Sequence, residues 1–164
     1  MWAMNIKRNI VTRKVYKWKE SLNVHGWQQE YGENYFGTYS PVVTWFWIRT
    51  LLTLTSINKW HSRQVDFLPE FPLAPIKYDL YMELAKGLQT KGGNVRTNVL
   101  QFPKIFYSQK QAGLVWNYHL NDTLKLFCFK PSDVENCVRY QDNTIFLCYV
   151  DNWIFVGLDF KDTD

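Results

Sequence analysis

Residues 144–158 read TIFLCYVDNWIFVGL. The run from 144 to 150 is uninterrupted and rich in β-branched and aromatic side chains, which suit a strand. Asp151 and Asn152 follow, two residues that tolerate left-handed turn geometry, and residues 153–158 form a second apolar run. This pattern predicts a β-hairpin with a carboxylate at its tip. On this stretch alone Asp151 is either a simple turn former or a functional acid.

The rest of the chain supplies a sheet and helices around that hairpin. Residues 60–67 read as a strand with Asp66 at its C-terminal end, closed off by Pro69, Pro72 and Pro75, which cannot continue a sheet interior. After Ser40-Pro41, residues 42–57 set Ile48, Leu51, Leu52 and Thr55 at helical spacing. Residues 109–126 repeat Ala112, Val115, Trp116, His119, Leu120 and Leu124 along one side. Short extended segments are expected at 78–84 and 95–100, with a Gly-Gly turn at 90–94. Residues 11–24 alternate loosely as an exposed strand, and 28–39 read as an aromatic loop. The mixture predicts an α+β fold, an antiparallel sheet backed by helices. No repeat or Ser/Gly-rich linker divides residues 1–164, which read as one domain.

Apolar residues make up 46% of the chain and charged residues 21%, which excludes a disordered linker. Aromatics reach 18%, enough for a core and also for platforms on which bases or sugars stack. The net charge of +4 is local. Residues 1–30 hold six Lys/Arg against two Glu, and the remainder carries thirteen of each sign. A basic end suits an anionic partner such as a phosphate chain, or is simply a solvated face.

Cys128, Cys137 and Cys148 are odd in number and lack CxxC spacing, so neither a disulfide framework nor a zinc knuckle is supported. His25, His61 and His119 stand far apart, which leaves carboxylates as the ligands for any metal. Residues 1–11 contain no apolar run of signal-peptide length, and an intracellular location, cytoplasmic or nuclear, is expected. Residues 38–58 carry only Arg49 as a charge, but Pro41, the Thr and Ser content and a central Arg argue for a buried helix rather than a membrane span.

Asp66 and Asp151 would converge if their strands were neighbours in one sheet. Carboxylates brought together repel unless a divalent cation lies between them, and Mg²⁺ accepts that arrangement with phosphate oxygens completing its shell. Two such ions serve phosphoryl transfer, one at the attacking hydroxyl and one at the leaving group.

The motifs support that chemistry. Tyr149-Val150-Asp151-Asn152 resembles the YVDD box of reverse transcriptases. KWKESLNVHG at 17–26, YFGTYSPVV at 35–43, IRTLLTL at 48–54, QVDF at 64–67, LYMELAKG at 80–87 and QKQAGLVWN at 109–117 match the copia-type retrotransposon group in order, over about residues 15–158. The resemblance implies the fingers and palm of an RNA-directed DNA polymerase working with Mg²⁺ or Mn²⁺. Its partners would be an RNA/DNA primer-template, deoxynucleoside triphosphates and the other domains of a retrotransposon polyprotein. In this resemblance Asp66 and Asp151 match the catalytic, metal-binding aspartates and Asn152 the third position of the box. Phe71 matches the aromatic gate against a ribose 2′-hydroxyl, Gln111 a residue lining the nucleotide pocket, and Lys17 and Lys19 the basic fingers that face the triphosphate.

Departures from the pattern are as informative. Asn152 replaces an aspartate and keeps an oxygen without its charge. Ser21 stands where KARL would place an arginine, Glu70 where a small residue precedes the gate, Ser108 where Tyr-Gly is usual, and Leu114 where an arginine is usual. No thumb, RNase H, protease or integrase motif is read in the sequence. The expectation is a partial reverse transcriptase domain with impaired chemistry; the alternative is a non-catalytic nucleic-acid-binding remnant.

Overall fold

The computed structural model describes residues 2–66, 74–88, 98–149 and 152–157. In chain order the strands and helices are β1 (Trp2–Arg8), β2 (Val15–Leu22), α1 (Trp45–Asn58), β3 (His61–Asp66), β4 (Tyr81–Glu83), β5 (Val99–Gln101), α2 (Ala112–Leu126), β6 (Lys130–Pro131), β7 (Val138–Gln141), β8 (Thr144–Tyr149) and β9 (Asn152–Gly157). The α+β, sheet-rich architecture expected from the sequence is present. The chain forms two compact units: Met1–Thr38 with Phe71–Val115, and Tyr39–Glu70 with Trp116–Asp164.

The second unit is built on a five-stranded antiparallel sheet in the order β3-β9-β8-β7-β6. Cross-strand partners point to the same face, and side chains alternate along each strand. Ile145, Leu147, Ile154 and Val156 therefore share one face. There they pack with Ile48 and Leu51 of α1, with Val43 and with Cys137. Phe146, Trp153 and Phe155 take the other face, where the Trp153 ring lies 6.4 Å from Trp116 of α2, and Phe146 lies 5.4 Å from Trp153 and 5.0 Å from Phe155. Cover on both faces explains why β8 is an unbroken apolar run rather than an alternating one. Beneath this second face Arg139 is buried and donates a hydrogen bond to Oδ1 of Asn121.

Helix α1 starts later than the periodicity suggests, because Thr44 is still extended at the N-cap (ψ 151°) and Val43 is committed to the core. Lys59 ends it in the left-handed region, φ 55°. Its fourteen residues fall short of a membrane span, and among the described residues no helix is long and apolar enough to cross one. The sheet ends in strands suited to edges: β3 is mostly polar and exposed, and β6 is two residues long and contains Pro131. The three cysteines are free, and burial pushes the Cys137 thiol up to about 11.

The hairpin of β8 and β9 is displaced by one residue from the sequence reading. Tyr149 pairs with Asn152, so Asn152 opens β9 rather than forming half of the turn. Residues 150 and 151 lie outside the described residues. The same Asp-Asn dipeptide at 142–143 does lie between paired strands, with Gln141 opposite Thr144 and Asp142 at φ 46°. The expected Gly-Gly turn at 90–94 also falls outside the described residues.

In the first unit β1 and β2 form an antiparallel ribbon, and β4 and β5 form another. Its buried side chains include Ala74, Leu80, Phe102, Ile105 and Ala112. Gly26 passes so close to the Ser108 carbonyl that a Cβ would sit 2.1 Å from the oxygen, so no larger residue fits without backbone movement. Ser108 itself adopts φ 69°, a conformation that glycine enters freely and other L-residues enter at a cost of about 1–2 kcal/mol.

Two stability outcomes follow. Phe146→Ala, which empties a fully buried position between strands and rings, lowers unfolding free energy by about 3–5 kcal/mol in a denaturant titration. Ser108→Gly relieves the left-handed residue and raises it by about 1 kcal/mol. No gain from Ser108→Gly would mean that the side chain repays the strain locally.

Candidate active site

Asp66 ends β3 and Asn152 opens β9, and the two are direct cross-strand partners. Asn152 is also the partner of Tyr149 on β8. Asp66, Asn152 and Tyr149 thus make one row across three strands on one face, with side chains about 5 Å apart at their Cβ atoms. Gln64, two residues before Asp66, shares that face. Its Nε2 donates to Asn152 Oδ1 at 3.0 Å. The Tyr149 ring is tilted against Trp45 at 5.9 Å. Asp66 is exposed, so its carboxylate is open to a ligand.

The row holds hard oxygen donors, the ligand type that suits Mg²⁺ or Mn²⁺. Among the described residues no group of three His, Cys, Asp or Glu is gathered to hold a metal. Asp151 and Phe71 lie outside the described residues, as does Glu70. Asp66 and Asn152 are therefore the pair of predicted site residues that the second unit brings together. Sequence reasoning missed Gln64 and Tyr149. The QVDF and YVDN motifs contained both, since Gln64 is two residues from Asp66 along a strand and Tyr149 is the cross-strand partner of Asn152.

The other predicted residues belong to the first unit. Lys17 and Lys19 are exposed on β2, on the same face as Ser21 by strand alternation. Gln111 is only 1% exposed. Its Oε1 accepts from Gln29 Nε2 at 3.0 Å, and its Nε2 donates to the Asn34 carbonyl at 3.4 Å. Gln29 Oε1 in turn accepts from the Lys110 backbone N–H at 2.7 Å, and Lys110 Nζ lies 4.9 Å over the Tyr35 ring. The Tyr78 hydroxyl donates to the same Asn34 carbonyl at 3.3 Å. Burial raises its pKa, and a hydrogen bond with Gln111 partly opposes the rise. In this arrangement the Gln111 amide is used to join the 29–35 loop to the start of α2.

The chain belongs to the reverse transcriptase (RNA-dependent DNA polymerase) family, whose sequence pattern matches residues 1–164. It is similar to the retrovirus-related Pol polyprotein from transposon TNT 1-94 of Nicotiana tabacum, with 28% identity over 163 residues, 96% of this chain and 12% of the relative. It is also similar to the retrovirus-related Pol polyprotein from transposon RE1 of Arabidopsis thaliana, with 30% identity over 148 residues, 87% of this chain and 10% of the relative. A third relative, from transposon RE2 of the same plant, is 29% identical over 147 residues. The chain spans about a tenth of the length of these polyproteins. No solved structure matches it. The copia-type reverse transcriptase resemblance read from the motifs is borne out.

The buried amide network has a consequence measurable without nucleotide. Gln111→Ala removes the nearer of the two acceptors of Gln29 Nε2, leaving the Asn34 carbonyl at 3.5 Å, and lowers stability by about 1–3 kcal/mol in thermal or denaturant unfolding of the free chain. Unchanged stability would free Gln111 for a role in ligand binding alone.

Proposed function

We propose that this chain carries the fingers and palm of an RNA-directed DNA polymerase whose nucleotidyl-transfer site is built on Asp66 and Asp151, with Asn152 beside them. The observation that carries the reading is the register of β3 against β9, which sets Asp66 directly across from the residue that follows Asp151 in the chain. Asp66 and Asp151 would hold Mg²⁺ or Mn²⁺, and the ions when bound would supply Lewis-acid stabilisation of the phosphates. The exposed Asp66 carboxylate is an open ligand, and Gln64 fixes the orientation of the Asn152 amide beside it.

Lys17 and Lys19 offer two cations to the phosphates of an incoming deoxynucleoside triphosphate, and Phe71 would pack under its sugar. Gln111 acts by holding the 29–35 loop rather than by touching the nucleotide. The substrates are an RNA/DNA primer-template and deoxynucleoside triphosphates, and the other domains of a retrotransposon polyprotein are the natural partners.

The site is weakened at two independent points. Asn152 contributes a neutral oxygen that is already paired with the Gln64 amide, where a carboxylate would hold a cation. Ser21 continues the Lys17–Lys19 row with a short hydroxyl, where the resemblance expects an arginine. A charge-assisted contact to a phosphate contributes about 1.5–3 kcal/mol, roughly ten- to a hundredfold in rate or affinity. The neutral Gln64–Asn152 pair favours the second reading, a nucleic-acid-binding remnant without chemistry, to the extent that it abolishes turnover.

Template-directed extension with Mg²⁺ separates these readings. The unmodified chain is expected to extend poorly, Asn152→Asp alone to leave at least a tenfold deficit, and Ser21→Arg, Glu70→Ala and Asn152→Asp combined to extend best. Robust extension by the unmodified chain would sink the impaired-enzyme reading. No extension by the triple variant, with primer-template binding intact, would favour the remnant.

A further inference from the structure

Helix α1 carries apolar side chains on two opposite sides. Ile48 and Leu51 pack in the core of the second unit, and Thr55 is buried on the same side. Half a turn round the helix, Phe46, Thr50, Thr53 and Ile57 recur at spacings of three and four, flanked by Arg49 and Leu54, in a second stripe about three turns long. This stripe is open: Phe46 is 67% exposed, Ile57 71% and Leu54 42%. The Thr50 hydroxyl adds little polarity to it, because it already donates to the Phe46 carbonyl at 2.8 Å.

A helix that is apolar all round is ordinarily covered all round. Helix α1 has one charged residue, Arg49, and among the described residues no carboxylate pairs with it. Phe46, Arg49, Thr50, Thr53 and Leu54 line one groove, so the cation stands beside the apolar side chains rather than apart from them.

We infer that this groove docks an amphipathic helix from another segment of the retrotransposon polyprotein, one that carries a single Asp or Glu within its apolar stripe. The charge decides among the occupants. Two copies of α1 laid face to face would bring two Arg49 guanidiniums into one seam, and α1 has no acidic residue to set between them. A membrane surface takes helices rich in Lys and Arg on their polar side, and α1 offers no second cation. A helix with one carboxylate meets both demands. Its apolar side chains at i, i+3, i+4 and i+7 interdigitate with Phe46, Thr53 and Ile57, and its carboxylate accepts from the guanidinium fork. The relatives place a source on the same polypeptide, since the chain spans about a tenth of their length, and a tethered segment meets the groove at a raised effective concentration. The source rests on the polyprotein reading above; the groove and its charge stand without it.

Fluorescence anisotropy of the full chain with two labelled helical peptides of about 15 residues, identical but for Glu or Lys at the centre of the apolar stripe, tests the groove. The Glu peptide is expected to bind at least about tenfold more tightly than the Lys peptide, and Arg49→Glu to reverse that order. Phe46→Asp and Ile57→Asp are each expected to weaken the Glu peptide at least about tenfold without lowering the melting temperature, since both side chains are exposed. No binding, equal binding of the two peptides, or an order that Arg49→Glu does not reverse would overturn the groove. So would a dimer that Phe46→Asp dissociates in sedimentation velocity, which assigns the face to a second copy, or binding to phosphatidylcholine/phosphatidylserine vesicles that Phe46→Asp abolishes, which assigns it to a membrane. Peptides tiled over the unmatched part of the TNT 1-94 polyprotein are expected to include one that displaces the Glu peptide, and the absence of any such competitor would overturn the polyprotein as source. Template-directed extension and primer-template binding are read separately: a chain that extends but binds no peptide loses the groove alone, and one that binds the peptide but neither extends nor holds primer-template loses the polymerase reading alone.

Discussion

The register of β3 against β9 is the constraint on which the second unit depends. Six consecutive pairs, from His61 with Gly157 to Asp66 with Asn152, fix which side chains share a face. A slip of one residue would turn every side chain of β3 to the opposite side. It would move Asp66 and Gln64 away from Asn152. The register is itself held from behind, because β9 is locked to β8 and β8 is buried on both faces by rings from one side and aliphatic side chains from the other. The placement of Asp66 beside Asn152 is therefore only as well defined as the packing of Phe146, Leu147 and Val156.

The two units obtain order in different ways. Apolar cover defines the sheet of the second, whereas the described part of the first combines buried apolar side chains such as Leu80, Phe102 and Ile105 with short ribbons and a buried polar network around Gln29, Asn34 and Gln111. In such a network each amide is valuable because its partners have no water to fall back on. Gln111 illustrates how a residue matched by resemblance to a ligand-lining role is also committed to the packing of a loop. Ser108 illustrates a converse case, where the glycine expected by resemblance has a conformational reason visible in the backbone.

Much of this was legible in the sequence, for stated reasons. The two helices and the β8–β9 hairpin showed themselves through strong periodicity or unbroken apolar runs, and Asp66 was correctly placed at a strand end. Strands β1 and β7 were not found, because Lys7, Arg8, Arg139 and Gln141 break the apolar pattern and pairing with a neighbour, not propensity, makes these segments extended. Asn152 reads as half of a turn in the sequence but pairs with Tyr149, because its local preferences suit a turn and only the partner strand decides that it enters the ladder. The Asp66–Asn152 pairing itself is long-range, 86 positions apart, and no local pattern could supply it.

Strand β3 sits at the rim of its sheet, paired with β9 on one side and with no other strand among the described residues. A rim strand carries a row of unused backbone donors and acceptors, and such rows recruit strands from other molecules. The sequence HSRQVD is poor material for that, being polar and charged along most of its length. The residues that keep the strand end wet and open to a ligand thus also keep neighbouring molecules from zipping onto it. Resistance to strand addition and an open Asp66 end are two readings of one polar strand, and drift toward an apolar β3 would cost the protein both.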